Sequence, residues 1–133
     1  MIKKTVLMHT RLVLLLFCFL GFFVLMTGLR FVGASPYTNV DVDTAYNMIT
    51  NGSYPDLIVL DVRTKSEYDS GHIFGTTWIP VAELESRIGE LATHKEHEII
   101  VYCLSGGRSV TASNILDSNN FTKVYNMLEG ITA

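Results

Sequence analysis

The sequence predicts an α/β domain with a central, mainly parallel β-sheet and helices on both faces. Two continuous apolar runs, LIVLDV (57–62) and EIIVY (98–102), are typical of strands that are buried on both faces. Segments with helical spacing of apolar residues lie between and after these runs. Because strands that alternate with helices indicate parallel pairing, we expect one three-layer domain over residues 35–133.

A long apolar segment precedes this domain. No charged residue occurs in residues 12–29, and a helix of that length spans roughly 27 Å, close to the ~30 Å hydrocarbon core of a bilayer. Residues 1–34 are therefore expected to be a signal peptide or an N-terminal membrane anchor, with residues 12–29 as its hydrophobic helix. The length favours an uncleaved anchor, whereas the small residues 32–34 resemble a cleavage site. Basic residues before the segment predict that the domain lies outside the cytoplasm, on the periplasmic or extracellular side.

The first elements of the domain follow from composition and capping. GASPYTN (33–39) is small and polar and is expected to be a linker. Asp41 is a suitable N-cap for a helix that stops at Asn51-Gly52. The apolar face of this helix is expected to contain Ala45, Met48 and Ile49.

Short elements fill the middle of the domain. SEYDS (66–70) predicts a short polar helix that ends at Gly71, and TTWI (76–79) predicts a short strand. Pro80 is expected to open the next helix, because the fixed φ of proline suits a first helical turn. The apolar face of that helix is expected to contain Val81, Leu84, Ile88 and Leu91.

The last elements follow the strand at 98–102 and a glycine turn. The sequence predicts an amphipathic helix whose apolar face includes Val110, Ile115 and Leu116. KVYNM (123–127) is expected to be the final strand. Ligands of open parallel sheets bind beyond the carboxyl ends of the strands, where Asp61 and Cys103 both lie.

Charge and cysteine count narrow the function of the domain. All thirteen acidic residues but only six basic ones follow Arg30, so that part of the chain carries a formal charge of −7. Negative charge of this size repels phosphate backbones and argues against nucleic acid as a partner. Cys103 is the only cysteine after the apolar segment, whereas Cys18 lies within it and is expected to face lipid. A single cysteine cannot form an intramolecular disulfide, so the sequence favours a free thiol with a function.

The residues after Cys103 suit an ionised thiol. Gly106 and Gly107 allow the backbone to curl so that successive amide N–H groups point at the sulfur. A helix that begins near Arg108 adds its positive end, and the guanidinium adds a fixed cation with donors suited to an oxyanion. Each effect favours the thiolate and lowers the pKa of the thiol below the free value of about 8.5. The sequence therefore predicts an anion cradle with a nucleophile at its rim.

The cradle belongs to a pair of longer motifs. YCLSGGRS (102–109) and LDVRTKSEYDSGHIFGT (60–76) together resemble the single-domain rhodaneses, which are sulfurtransferases of the rhodanese/phosphatase superfamily. The resemblance covers nearly all of residues 40–130 and implies an α/β fold with a central parallel sheet. It implies that Cys103 takes a sulfane sulfur from a small anionic donor such as thiosulfate and forms a persulfide. The acceptor would be a thiol, or cyanide in assays.

The resemblance also assigns residues to the site. Cys103 is implied to be the catalytic nucleophile, and Arg108 to help hold the anionic donor. The loop residues implied to bind substrate and cradle the persulfide are Leu104, Ser105, Gly106, Gly107, Arg108 and Ser109. Asp61, Arg63 and Glu67 match the first motif and are implied to support the loop structurally. From the residues alone, Asp61 suits the capping of the next turn, and Arg63 and Glu67 suit an i,i+4 ion pair.

The residues alone leave other functions open. An activated thiolate beside an anion site also describes cysteine-dependent phosphatases and arsenate reductases. Phosphatases of this superfamily have five residues between cysteine and arginine, whereas four separate Cys103 from Arg108, and the tighter ring suits a single sulfur atom. A third alternative is a non-catalytic module that binds a partner or senses oxidants through a reversibly oxidised thiol.

The remaining polar residues and the end of the chain complete the expectations. His72 is expected to have a structural role in its turn, because a cradled thiolate needs no general base. His94 and His97 lack further ligands at metal-binding spacing, so the sequence predicts no metal site, and no cofactor is implied. Phe74 replaces the proline that is usual in the family. Because the sequence ends directly after LEGIT, the domain is expected to lack the family's C-terminal helix.

Overall fold

The computed structural model describes residues 36–132, which contain a five-stranded, fully parallel sheet. The strand order is β1-β5-β4-β2-β3, so the central strand β4 lies between β5 and β2. The strands are β1 Thr38–Val40, β2 Ile58–Asp61, β3 Thr77–Trp78, β4 Ile99–Tyr102 and β5 Val124–Met127. The prediction of a parallel α/β sheet is confirmed.

Helices connect each strand to the next and cover both faces of the sheet. They are α1 Val42–Thr50, α2 Lys65–Asp69, α3 Val81–Arg87, the 3₁₀ helix Ile88–His94, α4 Gly107–Ser118 and the 3₁₀ turn Gly130–Thr132. Apolar side chains of α3 and α4, such as Leu84 and Leu116, form one half of the core. Ala45 and Met48 of α1 form the other half on the opposite face. Every residue of β4 is buried, because both faces of this strand are covered.

The first helix forms where its caps predict it. The Asp41 carboxylate accepts a hydrogen bond from the Thr44 amide at 2.7 Å, and the helix ends at Asn51. In α2, Thr64 and Glu67 form a reciprocal capping box that was not predicted from the sequence. In each of these two helices, the N-cap side chain accepts a hydrogen bond from a first-turn amide that has no partner within the helix.

The predicted linker is wrong at its last residues. Thr38–Val40 form β1, an edge strand that pairs in parallel with Tyr125–Met127 of β5. The Asn126 amide donates a hydrogen bond to the Asn39 side-chain oxygen at 2.8 Å and joins the two strands. Three mainly polar residues carry little strand signal of their own, so β1 depends on its partner for its structure.

Two helix predictions also need correction. Val110 is exposed, and the face of α4 that packs on the sheet consists of Ser109, Ala112, Ser113 and Leu116. Ile115 and Leu116 pack into the core as predicted, and small side chains form the rest of the buried face. The predicted helix after Pro80 begins at Val81 and continues beyond Arg87 as a 3₁₀ helix that contains Gly89. Glycine disfavours an α-helix interior, which is consistent with the change at this point.

The predicted hydrophobic helix of residues 12–29 lies outside the described residues. Within residues 36–132, none of the helices combines the length and the apolar character needed for a membrane span. The expected absence of a C-terminal helix stays a prediction.

Candidate active site

Cys103 follows β4 directly and lies at the carboxyl edge of the sheet. It is the free cysteine of the described residues, and it is 1% exposed. Gly106 has a φ of +93°, which turns the chain from the strand into α4. This left-handed conformation favours glycine and places the start of a twelve-residue helix beside the sulfur.

The sulfur of Cys103 forms hydrogen bonds within its own loop. The Gly106 amide donates to Sγ at 3.1 Å, and the Cys103 thiol donates to the Ser109 hydroxyl oxygen at 3.7 Å. The same hydroxyl donates to the Gly106 carbonyl oxygen at 2.8 Å, which holds the serine in place. The turn at Gly106 and the first turn of α4 thus both contact the sulfur of Cys103.

These contacts decide the ionisation of Cys103. Burial raises the pKa of the thiol, because it penalises the charged form. The backbone amide and hydroxyl of Ser109, followed by the amides of Ser105 and Gly106, stabilise the thiolate and outweigh burial. The net result is a lowered pKa. Since the thiolate is the nucleophilic form, this geometry favours attack by sulfur.

Other residues of the predicted loop have different neighbours. Leu104 directs its carbonyl oxygen to the hydroxyl of Thr132 at 2.9 Å, and its side chain is partly exposed. Gly107 is the first residue of α4. Of the predicted loop amides, that of Gly106 donates to Sγ at 3.1 Å, and those of Ser105 and Ser109 also lower the pKa of the thiol.

Arg108 forms a two-point ion pair with Glu67. Its Nη1 and Nη2 atoms donate to the two carboxylate oxygens, each at 2.7 Å. The guanidinium strongly lowers the pKa of Glu67, with a further contribution from Thr64, and Glu67 is the main cause of the raised pKa of Arg108. The Cys103 thiolate also raises the pKa of Arg108, which places the cation within the field of the sulfur. The role of Arg108 in holding a donor stays a prediction.

Arg63 pairs with Asp61 rather than with Glu67, so the predicted i,i+4 pair is wrong. Two nitrogens of its guanidinium donate to the Asp61 carboxylate at 2.7 to 3.0 Å, and both side chains are buried. The Arg63 amide also donates to Asp61 at 2.9 Å, which caps the turn after β2 as predicted. Arg63 then reaches the Gly71 carbonyl oxygen at 2.7 Å and fixes the end of the next loop. Both residues are thus scaffold residues of this edge.

The turn that contains His72 is held by local contacts. Nδ1 of His72 lies 3.0 Å from the Tyr68 carbonyl oxygen, and the two rings stack with centroids 3.8 Å apart. The Trp78 indole donates to the Arg63 carbonyl oxygen at 3.0 Å. The Tyr102 hydroxyl accepts from the Ile73 amide at 3.3 Å. These contacts agree with the structural role expected for His72.

The segment 129–132 supports the active-site loop, and the sequence did not reveal it. The Ile131 amide donates to the Cys103 carbonyl oxygen at 3.0 Å. Gly130 has a φ of +70°, and a Cβ there would lie 2.5 Å from the same oxygen. The glycine three residues after the end of β5 was the one available signal, but the sequence does not show that the fold places it against the Cys103 loop.

The described residues contain no group of three side chains suited to a metal ion. His94 and His97 instead contact each other, with Nδ1 atoms 3.4 Å apart. The carboxyl edge of the sheet offers a buried thiol with a lowered pKa and one amide donor at 3.1 Å from its sulfur. Such a thiolate can attack an electrophilic sulfur, and the same donors can stabilise an anionic adduct.

Comparisons with known proteins agree with this geometry. A family model described as rhodanese-like domain matches residues 41–133. A putative sulfur carrier protein of Bacillus subtilis, YrkF, is 40% identical over 75 residues, which are 56% of this chain and 40% of that protein. A tRNA uridine(34) hydroxylase of Escherichia coli is 32% identical over 81 residues, which are 58% of this chain and 23% of that protein. The chain thus spans less than half the length of these two relatives.

Solved structures show the same fold. A rhodanese-like domain from Anabaena superposes with a TM-score of 0.64 at 29% identity, covering 75% of this chain and 73% of that domain. A rhodanese-like domain protein from Staphylococcus aureus has a TM-score of 0.65 at 22% identity, covering 72% of this chain and 89% of that one. The family match includes both the scaffold edge at Asp61 and the loop at Cys103. On this evidence, the chain belongs to the rhodanese-like domain family.

Proposed function

We propose that the protein is a sulfurtransferase that carries sulfane sulfur on Cys103. The contact between the Gly106 amide and Sγ, at 3.1 Å, carries the proposal, because a donor aimed at sulfur stabilises both the thiolate and the persulfide anion. In the first half-reaction the thiolate attacks the outer sulfur of a donor such as thiosulfate. The S–S bond of the donor breaks, sulfite leaves with the electron pair, and Cys103 becomes a persulfide anion. In the second half-reaction a thiol, or cyanide in an assay, takes the sulfur and restores the thiolate.

Two further observations support this function. The amides of Ser109, Ser105 and Gly106 outweigh burial and lower the pKa of the Cys103 thiol, which favours the nucleophilic form. The relative from Bacillus subtilis is named a putative sulfur carrier protein, which is the kind of activity that a persulfide-forming cysteine provides. No cofactor is required by this chemistry, since the thiolate is the nucleophile and the donor supplies the sulfur.

The test is the formation of a persulfide. The full-length protein is incubated with thiosulfate and with an organic persulfide, and the mass of the Cys103 peptide is measured. We expect the addition of one sulfur atom, followed by thiocyanate formation when cyanide is added. Cys103→Ser removes both signals, and Cys18→Ser, which changes the other cysteine, retains them. An unmodified Cys103 after treatment with either donor would overturn the proposal.

The alternatives make different predictions in the same preparations. A phosphatase would hydrolyse a chromogenic phosphate ester, and an arsenate reductase would reduce arsenate. Four residues separate Cys103 from Arg108, and a loop of this length suits these oxyanion substrates less well than a single sulfur atom. A binding or redox-sensing module would retain partner binding as Cys103→Ser, or would show reversible oxidation without sulfur transfer. We expect neither phosphate-ester hydrolysis nor arsenate reduction.

We also propose that residues 12–29 place the domain outside the cytoplasm, either as a retained anchor or as a cleaved signal peptide. The basis is the uncharged segment and the basic residues before it. A reporter that requires disulfide formation, fused after Ala133, is expected to be active. An active cytoplasmic reporter in its place would contradict the proposed location. Mass spectrometry of the mature N-terminus distinguishes the anchor from the signal peptide.

A further inference from the structure

The first helix of the domain, α1, ends in an exposed turn formed by Asn51, Gly52 and Ser53. The backbone N–H of Asn51 donates to the Asn47 carbonyl oxygen at 3.0 Å, so Asn51 is the last residue that the helix holds. Gly52 follows with a φ of +69°, and within residues 36–132 no heavy atom of another segment lies within 4 Å of the position that a Cβ would take there. Water therefore has free access to the Asn51–Gly52 peptide.

The side-chain carbonyl of Asn51 is polarised by the turn itself. The Ser53 amide donates a hydrogen bond to Asn51 Oδ1 at 2.9 Å, which is the contact of an Asx turn. A donor at a carbonyl oxygen stabilises the negative charge that develops there when a nucleophile adds to the carbon. The Cγ atom of Asn51 is therefore an activated electrophile on the surface of the domain.

The nucleophile for this carbon is the backbone nitrogen of the next residue, Gly52. Within residues 36–132 the Gly52 amide donates no hydrogen bond, so its proton can leave and its peptide plane can rotate without the loss of a native contact. Glycine also lacks a side chain that would crowd the five-membered ring formed by attack of this nitrogen on Cγ. The turn thus presents both reacting groups on adjacent residues.

Asn119 and Asn120, at the end of α4, show the opposite arrangement. The amide that follows Asn119 is that of Asn120, and it donates to the Asp117 carbonyl oxygen at 2.9 Å. The amide that follows Asn120 is that of Phe121, and it donates to the Leu116 carbonyl oxygen at 3.1 Å. Attack at either side chain would break one of these bonds. The structure therefore disfavours at both asparagines the reaction that it allows at Asn51.

We propose that Asn51 is a site of spontaneous deamidation in the folded protein. Hydroxide removes the Gly52 amide proton, and the nitrogen attacks Cγ of Asn51. The bond from Cγ to Nδ2 breaks, the leaving nitrogen takes a proton from water and departs as ammonia, and a succinimide ring remains. Water then opens either carbonyl of the ring and leaves aspartate or isoaspartate at position 51. No oxidant or reductant takes part, and the reaction does not involve Cys103.

The modification places a new carboxylate at the C-terminus of α1. The negative end of the helix dipole lies there, and the last turn of α1 contains no basic residue that would compensate the charge. Isoaspartate also inserts one carbon atom into the main chain between α1 and β2. Because Ala45 and Met48 of this helix form part of the core, both products are expected to lower the melting temperature of the domain.

The test incubates the full-length protein at mildly alkaline pH and follows each asparagine by peptide mass spectrometry. We expect Asn51 to deamidate roughly tenfold faster than Asn119 or Asn120, since their following amides must first give up a hydrogen bond. Gly52→Ala should slow the reaction at Asn51 by roughly tenfold, because a Cβ crowds ring closure. Asn51→Asp, which has the charge of the product, should melt roughly 2–6 °C below the wild type.

A synthetic peptide of residues 50–54, TNGSY, is the positive control for the conditions. An Asn51 that stays unmodified in the folded protein while this peptide reacts would overturn the proposal. Equal rates at Asn51, Asn119 and Asn120, or an unchanged rate in Gly52→Ala, would do the same. An Asn51→Asp variant that melts with the wild type would contradict the expected effect on α1.

Discussion

The loops that follow β2 and β4 begin side by side at one edge of the sheet, and they are held in opposite ways. After β2, Asp61 and Arg63 satisfy each other in a buried ion pair, and the remaining Arg63 donor closes the loop at Gly71. After β4, backbone groups hold the loop: the Ile131 amide donates to the Cys103 carbonyl oxygen, and the Gly106 amide donates to the sulfur. The first loop is scaffold because its polar groups are mutually satisfied. The second can react because its donors are aimed at one atom.

The largest effect on stability is expected in the loop after β2. Asp61→Asn leaves the buried Arg63 guanidinium without a compensating charge, and the free energy of unfolding is expected to fall by about 3–5 kcal/mol. Urea denaturation measures the change. Asp69→Asn breaks the exposed Lys65–Asp69 pair and should cost less than about 1 kcal/mol. Similar losses in the two variants would contradict the contrast between a buried and an exposed pair.

The loop after β4 is expected to depend on Gly130. Gly130→Ala forces a positive φ on alanine and places Cβ against the Cys103 and Leu104 carbonyl oxygens, so we expect a loss of about 3 kcal/mol. Gly52→Ala is the matched control, because Gly52 has a φ of +69° but open space around it. It should cost about 1 kcal/mol, which is the backbone term alone. Equal destabilisation would show that the contact with the active-site loop does not matter.

A smaller effect is expected from one hydroxyl beside the sulfur. Ser109→Ala removes a group that lowers the pKa of Cys103, so that pKa should rise. Only the thiolate reacts with iodoacetamide, so the pH at which the alkylation rate begins to rise should move to a higher value. At a pH below the pKa of Cys103, the rate should be roughly fivefold lower than in the wild type, because one hydrogen bond contributes about 1 kcal/mol. The thiolate also adds stability above its ordinary pKa, and this is lost as pH falls through the lowered value. Ser118→Ala, at the far end of α4, should leave the profile unchanged.

The smallest effect is expected at Phe74, which follows the loop held by Arg63. Phe74 is 98% exposed, so Phe74→Ala should change the free energy of unfolding by less than about 0.5 kcal/mol. Phe121→Ala, a change of the same size in the core, should cost about 3–5 kcal/mol. A large loss at Phe74 would mean that the side chain packs against something in the full-length protein that the described residues do not contain.

Most strands and the position of Cys103 were predictable because their signals are local. Continuous apolar runs identified β2 and β4, and a glycine turn with Arg108 identified Cys103. β1 was missed because its few polar residues gain their structure from β5. Ile115 and Leu116 of α4 were assigned correctly, whereas Val110 was misassigned because small residues fill much of the buried face.

The partners of the charged residues were less predictable than their positions. Spacing suggested that Arg63 and Glu67 would pair on one helix face, yet Arg63 turns back to Asp61 and Glu67 reaches across to Arg108. Forty-one residues of sequence separate Glu67 from Arg108. No pattern of nearby residues can predict an ion pair over this distance in sequence, because the two residues meet only when the parallel strands β2 and β4 align their following loops.

The sequence by itself determined the α/β class, the order of most elements and the place of Cys103 after β4, because apolar periodicity, caps and a glycine turn act over short distances. Only the tertiary structure decided which amide donates to the sulfur and which carboxylate pairs with Arg108. It also decided that Gly130 packs against the carbonyl oxygen of Cys103. Those contacts join segments that the parallel sheet aligns at one edge, and alignment in space is set by how the strands pair rather than by any one segment.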